Sequence, residues 1–384
     1  MTTSGNPRLR QRCPPGVTER RSLRPPSPPG DGPSLSPLET AIQDQDSGAL
    51  RALIAADPEL LHRQGYWAHS RRHNHYRPLE YAVTHGKPQA TQLLLEAGSR
   101  TDDRTLRAAS YADANIPIME LLLRSGADVN STTTQSGRPY PLIFGPSNTL
   151  APRMLELLIC RGAHPVTEHG SALALVLANN NRDAGRKSAC LNVLEQAGLA
   201  LPDSAPMAAH RSRTDLLQAQ LDRDPGTLAR RYAEEEIYPP ELGIELPPVY
   251  AFVTPLRGVT LLHMAIEWGD PDLARWLLDQ GADVDAPAQI SSDGFGSWTP
   301  LYHAMVSLRV PRSQTDLVSL LLDRGADVNV TASIRKPLPK QNATIPYAEF
   351  RDVTPLKYAR EFVDPDLVNQ AAVQAVGAAI SGTQ

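Results

Sequence analysis

The stretch VTLLHMAIEWGDPDLARWLLDQGADVDA, Val259 to Ala286, spells one helix, a polar stop, a second apolar helix and a turn, and the chain keeps returning to that pattern. A unit of this kind constrains the fold more than any other feature here. Two short helices bury too little apolar surface to offset the backbone entropy of ordering about 30 residues. Such units are therefore stable only as a stack, each burying its neighbour's stripe.

The pattern has two parts. The first is an x-Pro-Leu opening: Ser36-Pro37-Leu38, Arg77-Pro78-Leu79, Tyr140-Pro141-Leu142, Thr299-Pro300-Leu301 and Thr354-Pro355-Leu356, with Thr260-Leu261-Leu262 as a variant. A hydroxyl residue caps exposed amides, and proline at the first helical position loses no hydrogen bond. The second part is an apolar helix closed by glycine, in LLLEAGS, LLLRSGADVN, LLICRGAHP, VLEQAGL, LLDQGADVD and LLLDRGADVN. In the opening stretch Asp270 caps this helix and Pro271 starts it, while Leu273, Leu277 and Leu278 share one face. Gly281 is placed to end it in the left-handed conformation.

With these residues the chain resembles the ankyrin repeat family, whose period is about 33 residues. The resemblance covers most of residues 36–380 and implies an all-α ankyrin-repeat solenoid of helix-turn-helix units, eight or nine of them, with long finger loops. The irregular spacing and degeneracy are similar to bacterial members of the family. The match is weakest over 200–256, and Gly145-Pro146 in PLIFGPSNTLAP predicts a short or broken helix. RALIAADPELLHR (Arg51 to Arg63) and AQLDRDPGTLARR (Ala219 to Arg231) share Asp-Pro at one place. They divide the chain into sub-arrays at 36–200 and 201–384, the second with an acidic insert near 232–253 and a C-terminal capping helix.

Residues 1–35, rich in proline and arginine, carry too few apolar side chains to order themselves and read as a disordered arm. They lack the apolar core of a signal peptide. Aromatic residues make up 5% of the chain, so the core must be built from Leu, Ala and Val. The net charge of −4 argues against a nucleic-acid partner, and no apolar run is long enough for a membrane span. Three scattered cysteines, Cys13, Cys160 and Cys190, fit a reducing, cytoplasmic setting; the last two read as buried in outer helices.

No nucleophile elbow, phosphate loop or metalloprotease motif is present, so the chain reads as a non-enzyme without a cofactor. His263 occupies the Thr-Pro-Leu-His position, where the resemblance implies an imidazole tying neighbouring loops together. The rival reading is a metal or enzymatic centre on His69, His73 and His75, with His62 or His85 as fourth ligand; Arg71, Arg72 and Arg77 oppose a cation there. A third reading is an exported, host-directed effector addressed by the arginine-rich arm. The acidic insert, with Glu234, Glu235, Glu236, Glu241 and Glu245, reads as an extended, solvated loop able to meet the basic finger. The favoured function is a non-catalytic scaffold that binds a protein partner through the concave face of turn tips and inner helices and through the finger loops. Its expected contacts are aromatics and arginines of the long loops: Tyr66, Trp67, Arg71, Arg72, Phe295 and Trp298.

Overall fold

The computed structural model of the chain describes residues 36–64, 76–135, 137–179, 181, 183–244, 254–306, 316–337, 347–362 and 364–382. Nine antiparallel helix pairs run through them. The first five are α1 (Ser36–Gln43) with α2 (Ser47–Ala56), α3 (Pro78–Thr84) with α4 (Pro88–Glu96), α5 (Asp103–Ser110) with α6 (Ile116–Arg124), α7 (Phe144–Thr149) with α8 (Pro152–Cys160), and α9 (Ala172–Leu177) with α10 (Ala184–Gln196). Then come α11 (Ala205–His210) with α12 (Thr214–Arg223), the single turn α13 (Glu234–Ile237), α14 (Leu261–Glu267) with α15 (Pro271–Asp279), α16 (Pro300–Met305) with α17 (Asp316–Asp323), and α18 (Pro355–Glu361) with α19 (Gln370–Gly382). First helices pack on first helices, as α14 does on α11 and α16, and second helices on second helices, as α17 does on α15 and α19.

One capping device recurs on the second helices. In α15 the Gly281 amide donates to the Leu278 carbonyl and the Ala282 amide to that of Leu277, the paired bonds of a Schellman cap. Gly281 has φ +90°, which an L side chain adopts only with strain. The same bond into the leucine four residues before the glycine recurs at Leu94, Leu122, Leu158, Leu194 and Leu321, and each of these leucines is fully buried. Cap and core contact are thus one motif, which is why a short apolar signature survives while loop lengths drift.

Among the described residues the mainly helical architecture carries three short antiparallel strand pairs: β1 (Thr132–Gln135) with β2 (Arg138–Pro141), β3 (Val166–Thr167) with β4 (Gly170–Ser171), and β5 (Ala332–Pro337) with β6 (Tyr347–Val353). Pro141 therefore ends a strand rather than opening a helix, and α7 begins three residues later and lasts six residues. Asp57-Pro58 and Asp224-Pro225 adopt one geometry, a helix leaving through an extended Asp into a single 3-10 turn, and Asp364-Pro365 repeats that extended Asp and turn. Cys190 is buried, and burial pushes its thiol up to about 12. Cys160, expected inside, is exposed: it is the last residue of α8 and falls on the face opposite Leu155 and Leu158.

A buried polar network joins α10 to α11, α13 and α14. Lys187 Nζ lies 2.7 Å from His210 Nδ1 and 4.4 Å from the Trp268 ring centre. The His210 ring stacks on Trp268 at 4.0 Å, and its Nε2 donates to the Ile237 carbonyl at 2.8 Å. Trp268 Nε1 donates to the Tyr238 hydroxyl at 3.1 Å. These contacts correct the extended, solvated loop expected for the acidic insert. Its described part folds into α13 and a 3-10 turn at Pro240–Leu242, because Ile237 and Tyr238 are drawn into the core beneath the glutamates. Glu245 lies outside the described residues.

Candidate partner-binding site

The finger segments of successive units are bonded into one band. Tyr232 and Val259 exchange backbone hydrogen bonds, Gln289 donates to the Gly258 carbonyl at 2.8 Å, and Gly296 bridges Ser333 on β5. Within the loop after α15, Ala288 and Trp298 close the base while the Ser291 amide donates to Phe295. Gly296 is required by close approach: a Cβ there would lie 2.5 Å from the Ile290 Cα. At the turn tips the Asp327 amide donates to the Asp285 carboxylate at 3.0 Å, tying α15's turn to α17's.

Phe295 and Trp298, expected as exposed contacts, are both fully buried. Phe295 lies 4.1 Å from the guanidinium carbon of Arg335 and 4.3 Å from that of Arg351. Arg335 is held by Asp293 and by Glu349 at 2.8 Å, and Arg351 by Glu349 at 3.3 Å. Trp298 fills the space under the loop, and its carbonyl accepts from His263 Nε2 at 3.1 Å. The Phe295 ring holds the loop on β5–β6. Tyr66, Trp67, Arg71 and Arg72, with the finger histidines His69, His73 and His75, lie outside the described residues.

The sequence reading missed the apolar side chains this arrangement leaves out. Ile290 is 61% exposed and Tyr347 48% exposed, on the two elements that Gly296 and Ser333 join. Ile290 also edges a groove of about 310 Å³ between finger segments, lined by Glu234, Arg257, Gln289 and Ser291. Burial, then the neighbouring Glu235, raises the Glu234 carboxyl above its usual range. The Ser291 hydroxyl, then Arg335, lowers that of Asp293. The one signal in the sequence was a lone isoleucine in the polar run Gln289 to Gly294.

The histidines beside the band are engaged. His263 Nδ1 accepts from the Thr260 amide at 3.2 Å and lies 2.9 Å from the Thr260 hydroxyl, so the proton sits on Nε2. Burial, reinforced by His303, pushes the His263 imidazole down to about 3. His303 Nδ1 lies 2.8 Å from the Glu267 carboxylate, both side chains buried. His85 Nδ1 lies 2.9 Å from the Tyr81 carbonyl. Among the described residues no group of three or more His, Cys, Asp or Glu could hold a metal ion, and no helix is long and apolar enough to cross a membrane.

Lys336 anchors the hairpin from beneath. It is fully buried, its Nζ 4.1 Å from the Phe362 ring centre and without a hydrogen-bond partner among the described residues. Burial pushes its ammonium down to about 7, against the pull of Glu267 and Asp364. A lysine protonated more readily unfolded than folded makes stability rise with pH between about 7 and 10.5. Lys336→Met is therefore expected to stabilise by about 1–4 kcal/mol at pH 7, the gain shrinking toward pH 10 in urea titrations.

Residues 243–332 match the family described as ankyrin repeats (3 copies). No curated protein matches the chain. Among solved structures, the human ASB11 ankyrin repeat domain is 16% identical over 88% of this chain and 97% of its own, with a TM-score of 0.24. An ankyrin repeat domain (ABAYE2397) from Acinetobacter baumannii AYE is 18% identical over 49% of this chain and 98% of its own, with a TM-score of 0.34.

Proposed function

This chain is an ankyrin-repeat protein, and from that premise we propose that it is a non-catalytic scaffold that captures a protein partner on the band of finger segments. The family is generally non-catalytic. The observation that carries the reading is the exposure of Ile290 and Tyr347 on a loop and hairpin made rigid by the buried Phe295, Trp298 and Lys336. A pre-ordered surface loses little conformational entropy on binding, and exposed apolar and aromatic anchors supply most of the interface energy. The basic finger with Tyr66, Trp67, Arg71 and Arg72 forms a second contact region in this reading, and the cytoplasm is the compartment that the scattered thiols favour. The recurrence of the Asp-Pro geometry supports a division into sub-arrays at 36–200 and 201–384.

The test is affinity capture from native lysate by the full chain. Ile290→Asp with Tyr347→Ser is expected to lower partner recovery by about 100-fold, on the order of two anchors lost, with an unchanged unfolding midpoint. Undiminished recovery, with loss instead on alanine replacement of Tyr66, Trp67, Arg71 and Arg72, would move the site to the finger.

A further inference from the structure

A second site lies on a different part of the array. Where the 3-10 turn at Pro58–Leu61 meets the starts of α3 and α5, the surface sinks into a cavity of about 120 Å³. Its polar walls are His62, Arg77, Ser99, Arg100 and Asp102, over a floor that includes Leu79. Ser99 is 7% exposed, yet its hydroxyl is buried and has no hydrogen-bond partner among the described residues. A buried hydroxyl left without a partner marks a place where a polar group is missing.

The charge balance says which kind. Asp102 is the one carboxylate, and it is already engaged: its Oδ1 accepts from the Thr105 amide at 2.8 Å and hydroxyl at 2.7 Å, capping α5. Its Oδ2 is 3.6 Å from Arg77. The amides at the start of α5 are thus not what the cavity offers. Arg100 makes no ion pair among the described residues and is exposed at the rim. Arg77, Arg100, His62 and Ser99 therefore line one small volume, with one excess positive charge over Asp102. Two guanidinium-bearing side chains and an unpartnered hydroxyl around a shared space match an oxyanion, which accepts on every side.

We propose that this cavity is an oxyanion site that takes a phosphate group, with Arg100 and Ser99 as its free donors and Arg77 shared between the ligand and Asp102. The group can arrive on a phosphorylated side chain or as free phosphate, and the chemistry of recognition is the same. The proposal stands apart from the capture surface at Ile290 and Tyr347, and variants of either site leave the other intact.

Calorimetric titration of the full chain with inorganic phosphate and with a phosphoserine peptide, at constant ionic strength, tests it. Saturable one-site binding is expected, weakened about tenfold by Arg100→Gln and about tenfold by Ser99→Ala, each a lost charge-assisted hydrogen bond. Ser99→Ala removes a hydroxyl with no internal partner, so the thermal midpoint should hold. Tighter binding of the phosphopeptide than of phosphate assigns the site to modified side chains; equal binding assigns it to the free anion. Absence of saturable binding, equal binding by both variants, or equal displacement by chloride overturns the proposal.

Discussion

Replacing His210 by alanine is expected to destabilise the protein by about 3–5 kcal/mol, more than any surface change, although the residue touches no proposed ligand. The imidazole accepts from Lys187 on one side and donates to the Ile237 carbonyl on the other, and it stacks on Trp268. Its removal takes one acceptor from the buried Lys187 ammonium, leaves the Ile237 carbonyl without the imidazole donor, and opens a cavity against an indole face. The contact between Lys187 and Trp268 survives, and it keeps the loss finite. Urea unfolding followed by tryptophan fluorescence measures the change, because Trp268 sits in the network. A cost below about 1 kcal/mol for His210→Ala would show that the network does not hold α10 against α11 and α14.

The repeat was legible because its signature and its energetics coincide. The leucine four residues before each closing glycine is both the core residue and the acceptor of the cap bond. Its side chain fills the core while its main-chain carbonyl, at the same place in the turn, takes the cap bond, so the leucine and the glycine stay in register whatever the loops do. His263 was readable through the family resemblance: its contact with Thr260 is local, whereas the Trp298 carbonyl lies 35 residues away in the next unit. The capture surface obeys no such local rule. Phe295 is buried by Arg335 and Arg351, which approach from a hairpin of the following unit. A lone aromatic in a glycine-containing loop therefore looks exposed until the hairpin is in place. His303 shows the same limit. One residue past the His263 position, it turns from the finger band toward Glu267 on α14. Tyr302 takes the vacated place and bonds the Val330 carbonyl at 2.9 Å, which leaves the Thr299 hydroxyl without the imidazole that Thr260 enjoys.

Mild acid is expected to destabilise this protein before most of its carboxylates are titrated. His210 and His263 are both held neutral in the fold, the first well below the usual imidazole range and the second at about 3, in each case by burial before any charge effect. Unfolded imidazoles take up protons below about pH 6.5. Between that pH and the depressed folded values the unfolded chain binds more protons, so stability falls as pH falls, by about 1.4 kcal/mol per pH unit for each histidine. The His263 ring alone, held at about 3 in the fold, removes roughly 1.5 kcal/mol between pH 6.5 and 5, and His210 adds to the loss in the same direction. The raised carboxyls of Glu80, Glu234 and Asp285 act with the opposite sign, since folded groups that protonate early gain stability as pH falls, but only nearer their own range. The window from 6.5 to 5 therefore isolates the histidines. Urea midpoints across it, read by tryptophan fluorescence beside both imidazoles, should slope steeply in the natural protein and about half as steeply in His263→Gln, whatever that variant's midpoint at pH 7. An unchanged slope would mean that the His263 ring takes its proton in the folded state. The bond from Nε2 to the Trp298 carbonyl would then be no lock between units but one arm of a charged centre.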